Sequence, residues 1–165
     1  MKAIYLIGFM GAGKTSVSRK LAEALTVSHY DTDHEIIEAA GKSINDIFAS
    51  EGEAKFREIE SAVLKTMPQH DAVIATGGGI VVAEENRRQM KSSGTVIFLY
   101  AEIGEILQRL EGDNSRPLLK ENKLEAAQSL YISRLPIYRQ TAHIEIDTTS
   151  KSVSDIVKEI IVSMN

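Results

Sequence analysis

Gly8-Phe9-Met10-Gly11-Ala12-Gly13-Lys14-Thr15 follows the short apolar run Ala3–Ile7 and opens a candidate helix, Lys14–Leu25. The pattern G-x-x-x-x-G-K-[ST], set between a strand and a helix, belongs to a loop that wraps a phosphate chain. Its glycines let the backbone curl so that successive N–H groups point inward, and the helix N-terminus adds a favourable dipole. The lysine then reaches the β- and γ-phosphates, and the hydroxyl after it suits Mg²⁺. Gly11, Ala12, Gly13, Lys14, Thr15 and Ser16 are therefore candidate ATP ligands. This loop alone does not separate kinases from GTP-dependent switches or ATPase motors. Asn122-Lys123-Leu124-Glu125 approaches the guanine-binding N-K-x-D, but it ends in glutamate and follows the charged Leu119-Lys120-Glu121 rather than a buried strand. It reads as a helix start.

Outward from the loop, further apolar runs rich in β-branched and aromatic residues occur at Ala72–Ala75, Thr95–Tyr100 and Ile144–Ile146, with a weaker one at Ser28–Asp31. Helical spacing separates them, at Asp33–Ala40, Ile44–Ser50, Ala54–Met67, Ala83–Ser92, Ile103–Leu110, Lys123–Tyr138 and Val153–Met164. Alternation of this kind predicts an α/β fold: a five-stranded parallel sheet with crossover helices. Gly41 and Gly94 stand where helices should stop. The polar stretch Glu111–Asn122, with Gly112, Asn114 and Pro117, separates two helical patterns and reads either as a surface loop or as a functional flap.

With 165 residues, 43% of them hydrophobic and 25% charged, the chain suits one globular domain spanning 1–165. No segment approaches the roughly 20 apolar residues of a membrane span, and Ala3–Met10 runs into Lys14 without a signal-peptide cleavage pattern. A net charge of −4 argues against broad nucleic-acid contact. The lack of cysteine excludes disulfides and thiolate metal sites and accords with a reducing compartment, so cytoplasm is expected. His29, His34, His70 and His143 show no metal-ligand spacing.

Asp31-Thr32-Asp33 closes the second strand and Thr76-Gly77-Gly78-Gly79 follows the third, both at the carboxyl edge where the phosphate loop leaves the first. Ligands bind along that edge in open α/β sheets. One of the two acids could serve a Mg²⁺ water while the other meets a hydroxyl, or the pair could be a helix N-cap with a solvated neighbour. Consecutive glycines suit backbone that must approach a ligand closely. Arg57 and Glu60 stand one helical turn apart and could pair.

In order and spacing, the phosphate loop, Asp31-Thr32-Asp33, Gly41-Lys42-Ser43-Ile44 with Ile47-Phe48, Gly52-Glu53 with Phe56-Arg57 and Glu60, Gly77-Gly78-Gly79, Arg116-Pro117-Leu118-Leu119, and Arg134 with Pro136 and Tyr138 resemble the shikimate kinase family. The resemblance covers nearly the whole chain. It implies a three-layer α/β/α P-loop fold like that of nucleoside monophosphate kinases, with a substrate-binding helical segment at about 33–61 and a mobile lid at about 112–122. It implies transfer of the ATP γ-phosphoryl group to shikimate; with the composition arguing against nucleic acid and membrane, a monomer acting on ATP and shikimate is expected. Lys14, Asp33 and Arg116 would be catalytic, and Asp33, Arg57, Gly77, Gly78, Gly79 and Arg134 would bind shikimate, the two arginines holding its carboxylate. Asp31 would hold Mg²⁺ through water, with Thr15 as direct ligand; Arg109 would lie near adenine, Arg116 over the phosphates, and Lys151 after the last strand would also serve ATP. Phe48 and Phe56 would wall the ring or serve as plain core aromatics. Ser18 departs from the family, standing where glycine is frequent. The rivals are another small-metabolite kinase of this fold, such as a gluconate kinase, and a nucleotide-dependent switch without an acceptor.

Overall fold

The computed structural model describes residues 1–110 and 123–165; the expected lid, with Arg116, lies outside them. Among the described residues, β1 (Ala3–Ile7), β2 (Ser28–Asp31), β3 (Ala72–Ala75), β4 (Gly94–Tyr100) and β5 (Ile144–Asp147) form one parallel sheet in the order β2-β3-β1-β4-β5. β1 is central because it is apolar on both faces. Tyr5 and Ile7 join the core on one side and Ile4 and Leu6 the core on the other, as the period-2 alternation of a strand requires. In register, Ile4 pairs with Val73 of β3 and Thr95 of β4.

Helices cover both faces, giving three layers. On the Ile4 side lie α1 (Lys14–Leu25) and α7 (Val153–Met164), which bury Val17, Leu21, Ile156 and Ile160. On the Tyr5 side lie α2 (Thr32–Ala40), α3 (Ile44–Thr66), α4 (Glu84–Ser93), α5 (Ile103–Leu110) and α6 (Lys123–Thr141), which bury Ile36, Leu64, Met90, Ile106 and Tyr138 among others. Two expected helices, Ile44–Ser50 and Ala54–Met67, run together as α3, yet Gly52 between them has φ 85° and ψ 171°, so the chain does bend where the sequence breaks. A 3₁₀ turn, Ile80–Val82, precedes α4 and holds the glycine run off the helix proper. Gly94 ends α4 and also begins β4 in extended conformation; a Cβ there would meet the carbonyl oxygen of Ala3 and the ring of Tyr5.

Because every strand runs the same way, the carboxyl ends of β1, β2 and β3 share one edge of the sheet. The phosphate loop, Asp31 and Thr76–Gly79 leave from it side by side.

Candidate active site

Gly11 and Gly13 sit at φ 83° and 85°, left-handed backbone that other residues rarely adopt, and this lets the loop turn back onto α1. Gly13 is the N-cap of α1 and offers no side chain, so the first amides of the helix are left for a ligand. The Ala12 amide is already engaged, donating to Phe9 O at 3.1 Å. Lys14 is buried, with Nζ donating to Gly8 O at 2.6 Å and Phe9 O at 2.9 Å. Ser18 is fully buried one turn on; its hydroxyl donates to Thr15 O at 2.8 Å and meets His29 Nε2 at 2.8 Å, tying α1 to β2.

The two readings of Asp31 hold together. One carboxylate oxygen caps α2, accepting from Asp33 N at 2.9 Å and His34 N at 3.4 Å. The other accepts the Thr15 hydroxyl at 2.9 Å. Thr15 and Asp31 thus present hard oxygen donors at the mouth of the phosphate cleft, a set that fits Mg²⁺, which typically takes one or two protein oxygens and completes its shell with phosphate and water.

Two hollows lie along the edge. Gly11, Gly13, Lys14, Thr15, Ser16 and Asp31 line the phosphate cleft. Phe48, Phe56, Arg57, Glu60, Gly79 and Arg134 line the second. Met10, Asp33, Gly77 and Gly78 line both, so Asp33 stands where a nucleotide's terminal phosphate and an acceptor in the second pocket would meet. The glycine run is held from two sides. Gly77 N donates to the buried Thr32 hydroxyl at 3.0 Å, and the Tyr138 hydroxyl donates to Gly78 O at 2.6 Å. Phe48 and Phe56 meet with ring centroids 4.9 Å apart and planes tilted by 40°, Arg57 lies over the Phe56 ring at 5.2 Å, and both aromatics line the pocket as well as packing on the core.

Side chains at Gly77 and Gly79 would crowd the polar ends of Asp33, Glu60 and Arg57. A Cβ on Gly77 would lie 2.8 Å from Asp33 Oδ1, and one on Gly79 would press against the Arg57 guanidinium, closer than a van der Waals contact allows. Gly79 has φ −97°, which alanine adopts freely, so Gly79→Ala should leave folding nearly unchanged while pushing Arg57 aside. We expect a tenfold or greater rise in KM for the acceptor, about 1.4 kcal/mol or more, with KM for ATP little changed. Steady-state kinetics on both substrates checks this, and an equal rise in both would contradict it.

Arg57 donates to Glu60 Oε1 at 3.0 Å and lies 3.5 Å from Glu53 Oε1. Glu60 is 1% exposed. Burial pushes its carboxyl up to about 7, against the pull of Arg57 and Arg134 and with some help from Asp33. A carboxyl whose pKa is raised by folding favours the native state at low pH, and that contribution is lost as pH rises from its unfolded value of 4.5 through about 7. The loss amounts to at most about 3 kcal/mol. Glu60→Gln should therefore raise the melting temperature at about pH 8 and change it little at about pH 5. The reverse order in thermal melts would show that the ionised carboxylate is stabilising.

Other expected residues fall nearby or apart. Arg109 Nη1 donates to Gly11 O at 2.8 Å, so α5 reaches the phosphate loop. Lys151 instead pairs with Glu159 at 2.8 Å and lines neither hollow. Arg116 lies outside the described residues. Thr32, Glu60 and Tyr138 were not among the expected ligands; a threonine flanked by two aspartates and a glutamate one turn after Arg57 were the available signals.

Comparison with known proteins shows the family. A family model described as shikimate kinase matches residues 10–165. A shikimate kinase of Bacillus cereus is 46% identical over 97% of this chain and 96% of its own, and one of Enterococcus faecalis is 45% identical over 98% and 97%. Among solved structures, shikimate kinase from Acinetobacter baumannii in complex with shikimate superposes with a TM-score of 0.95 at 41% identity, covering 99% of this chain and 93% of that one. The enzyme from Aquifex aeolicus gives 0.87 at 39% identity, covering 98% and 95%.

Proposed function

Because this chain belongs to the shikimate kinase family, we propose that it transfers the γ-phosphoryl group of ATP to the 3-hydroxyl of shikimate, giving shikimate 3-phosphate and ADP. The observation that carries this reading is the junction of the two hollows at Asp33, with two arginines at the far end of the second. Guanidinium forks suit a carboxylate, and a pair of them sets its orientation as well as its affinity. With the carboxylate on Arg57 and Arg134, the ring would lie between Phe56 and the glycine run, and a ring hydroxyl would reach Asp33.

The chemistry needs little beyond position and charge. The acceptor oxygen forms a bond to Pγ as the bond from Pγ to the bridging oxygen of ADP breaks, through a loose transition state. The Lys14 ammonium would leave the Gly8 and Phe9 carbonyls for the β- and γ-oxygens, neutralising charge there. Mg²⁺, held by Thr15 directly and Asp31 through water, would supply further charge neutralisation between the phosphates. Asp33 would orient the hydroxyl and receive its proton late, since a loose transition state demands little deprotonation early. Arg109 would hold the loop from the adenine side, and Lys151 could serve ATP only by leaving Glu159. On the family resemblance, Arg116 would bring a last positive charge and close a lid at about 112–122 over a substrate-binding segment at about 33–61, within a single kinase domain. The reading is of a cytoplasmic monomer; among the described residues no helix is long and apolar enough to cross a membrane.

The direct test is ADP release from ATP and Mg²⁺ by the purified chain, with shikimate and with a panel of hydroxy acids that includes gluconate. Release that depends on shikimate supports the proposal. Release with gluconate in preference, or release indifferent to any acceptor, would point to a sister kinase or to a switch.

A further inference from the structure

The floor of the acceptor pocket has a charge problem. Arg57 and Arg134 bring two positive charges, while Asp33 and Glu60 bring two carboxyls. With both carboxyls ionised these four charges cancel, Glu53 adds a further carboxylate beside Arg57, and the carboxylate of an incoming acceptor would add one more negative charge to a largely buried cluster. Burying an unpaired charge is among the costliest events a site can undergo.

Glu60 is the group placed to relieve it. Its Oε1 accepts from Arg57, whereas Oε2 is buried without a hydrogen-bond partner. Oε2 faces the glycine run: a Cβ on Gly77 would lie 3.1 Å from it and 2.8 Å from Asp33 Oδ1, so the two carboxyls flank one point. On the opposite wall, Arg134 Nη1 is likewise buried without a hydrogen-bond partner, next to Gly78. A proton on Oε2 would remove the excess negative charge and leave Oε1 as acceptor for Arg57. We propose that Glu60 is a positioning residue whose protonation is coupled to acceptor binding: the carboxylate enters as Glu60 takes up one proton from solvent, which removes the Glu60 charge from competition with the ligand for the two arginines.

The groups facing Glu60 are Arg57 on its own helix, Asp33 from α2, and Arg134 and Tyr138 from α6. Burial keeps the Tyr138 hydroxyl protonated through the neutral range. The free Glu60 carboxyl is held near 7 by burial, and a bound carboxylate beside it would raise it further. The sign follows. Below about pH 7 the proton is already in place and affinity is flat; above it the proton must be supplied on binding, and affinity falls by up to about tenfold per pH unit until the bound-state value is reached.

The test is calorimetric titration of shikimate into the whole chain without nucleotide, from about pH 6 to about pH 9, in buffers of low and high ionisation enthalpy. The expected result is an acceptor Kd that climbs above about pH 7 together with proton uptake in wild type, and a flat Kd without proton uptake in Glu60→Gln, which binds tighter than wild type at about pH 9. A purely structural role would instead weaken Glu60→Gln at every pH and leave the slope unchanged. That outcome, or wild-type binding without proton uptake, overturns the proposal. If Glu60→Gln does not fold, the wild-type buffer comparison decides alone. The inference rests on the carboxylate reading of the pocket, and the two fail differently: absence of shikimate binding at any pH removes that reading, whereas binding without a Glu60-dependent slope removes only this one.

Discussion

Lys14→Ala is expected to lower kcat/KM at least a hundredfold, about 2.7 kcal/mol, and to leave the fold intact. Lys14 is the buried cation at the mouth of the loop, 2.6 Å from Gly8 O, and nothing neutral can take over charge that develops on the γ-oxygens. Its removal takes one donor from two loop carbonyls but opens no cavity among the apolar residues behind β1. The melting temperature should therefore move by a few degrees at most. Circular dichroism melts and steady-state kinetics on the same preparation separate the two effects. An alanine variant retaining more than about a tenth of wild-type kcat/KM, a loss below roughly 1.4 kcal/mol, would contradict the assignment.

Arg134→Ala should weaken shikimate binding by at least a hundredfold, again about 2.7 kcal/mol, while ATP affinity changes by less than about threefold. Arg57 and Arg134 are both proposed carboxylate ligands, but their surroundings differ. Arg57 is 21% exposed in its side chain and already divided between Glu60 and Glu53. Arg134 is 5% exposed and keeps Nη1 buried without a hydrogen-bond partner. A donor already shared has less to offer a ligand than one left buried and unmet. Arg57→Ala is therefore expected to cost about tenfold, less than Arg134→Ala. Arg134→Lys should recover only part of the loss, since a point charge lacks the planar fork. Unchanged shikimate affinity in Arg134→Ala, measured by calorimetry, would remove Arg134 from the site.

Much of this protein was legible from the chain alone because the relevant physics is local. The phosphate loop needs its glycines and Lys14 within one turn of backbone, and the strand–helix alternation that predicts a parallel sheet is a pattern of near neighbours. The break at Gly52 was readable for the same reason, and the two expected helices meet there at a kink. The place of each strand was not legible: β3 separates β1 from β2, and this order is what brings Gly77 against Thr32.

What only the tertiary structure decided depends on groups far apart in sequence. Asp31 could be read as a cap or as a site residue, and the fold makes it both by setting Thr15 against its free oxygen. That Lys151, an expected nucleotide ligand, meets Glu159 of α7 could not be read from the chain. Glu60 looked like half of an ordinary helical pair one turn from Arg57. Its charge state instead follows from burial under α2, α6 and the glycine run, because desolvation is set by everything that excludes water from a group, and that enclosure exists only once the chain has closed around it.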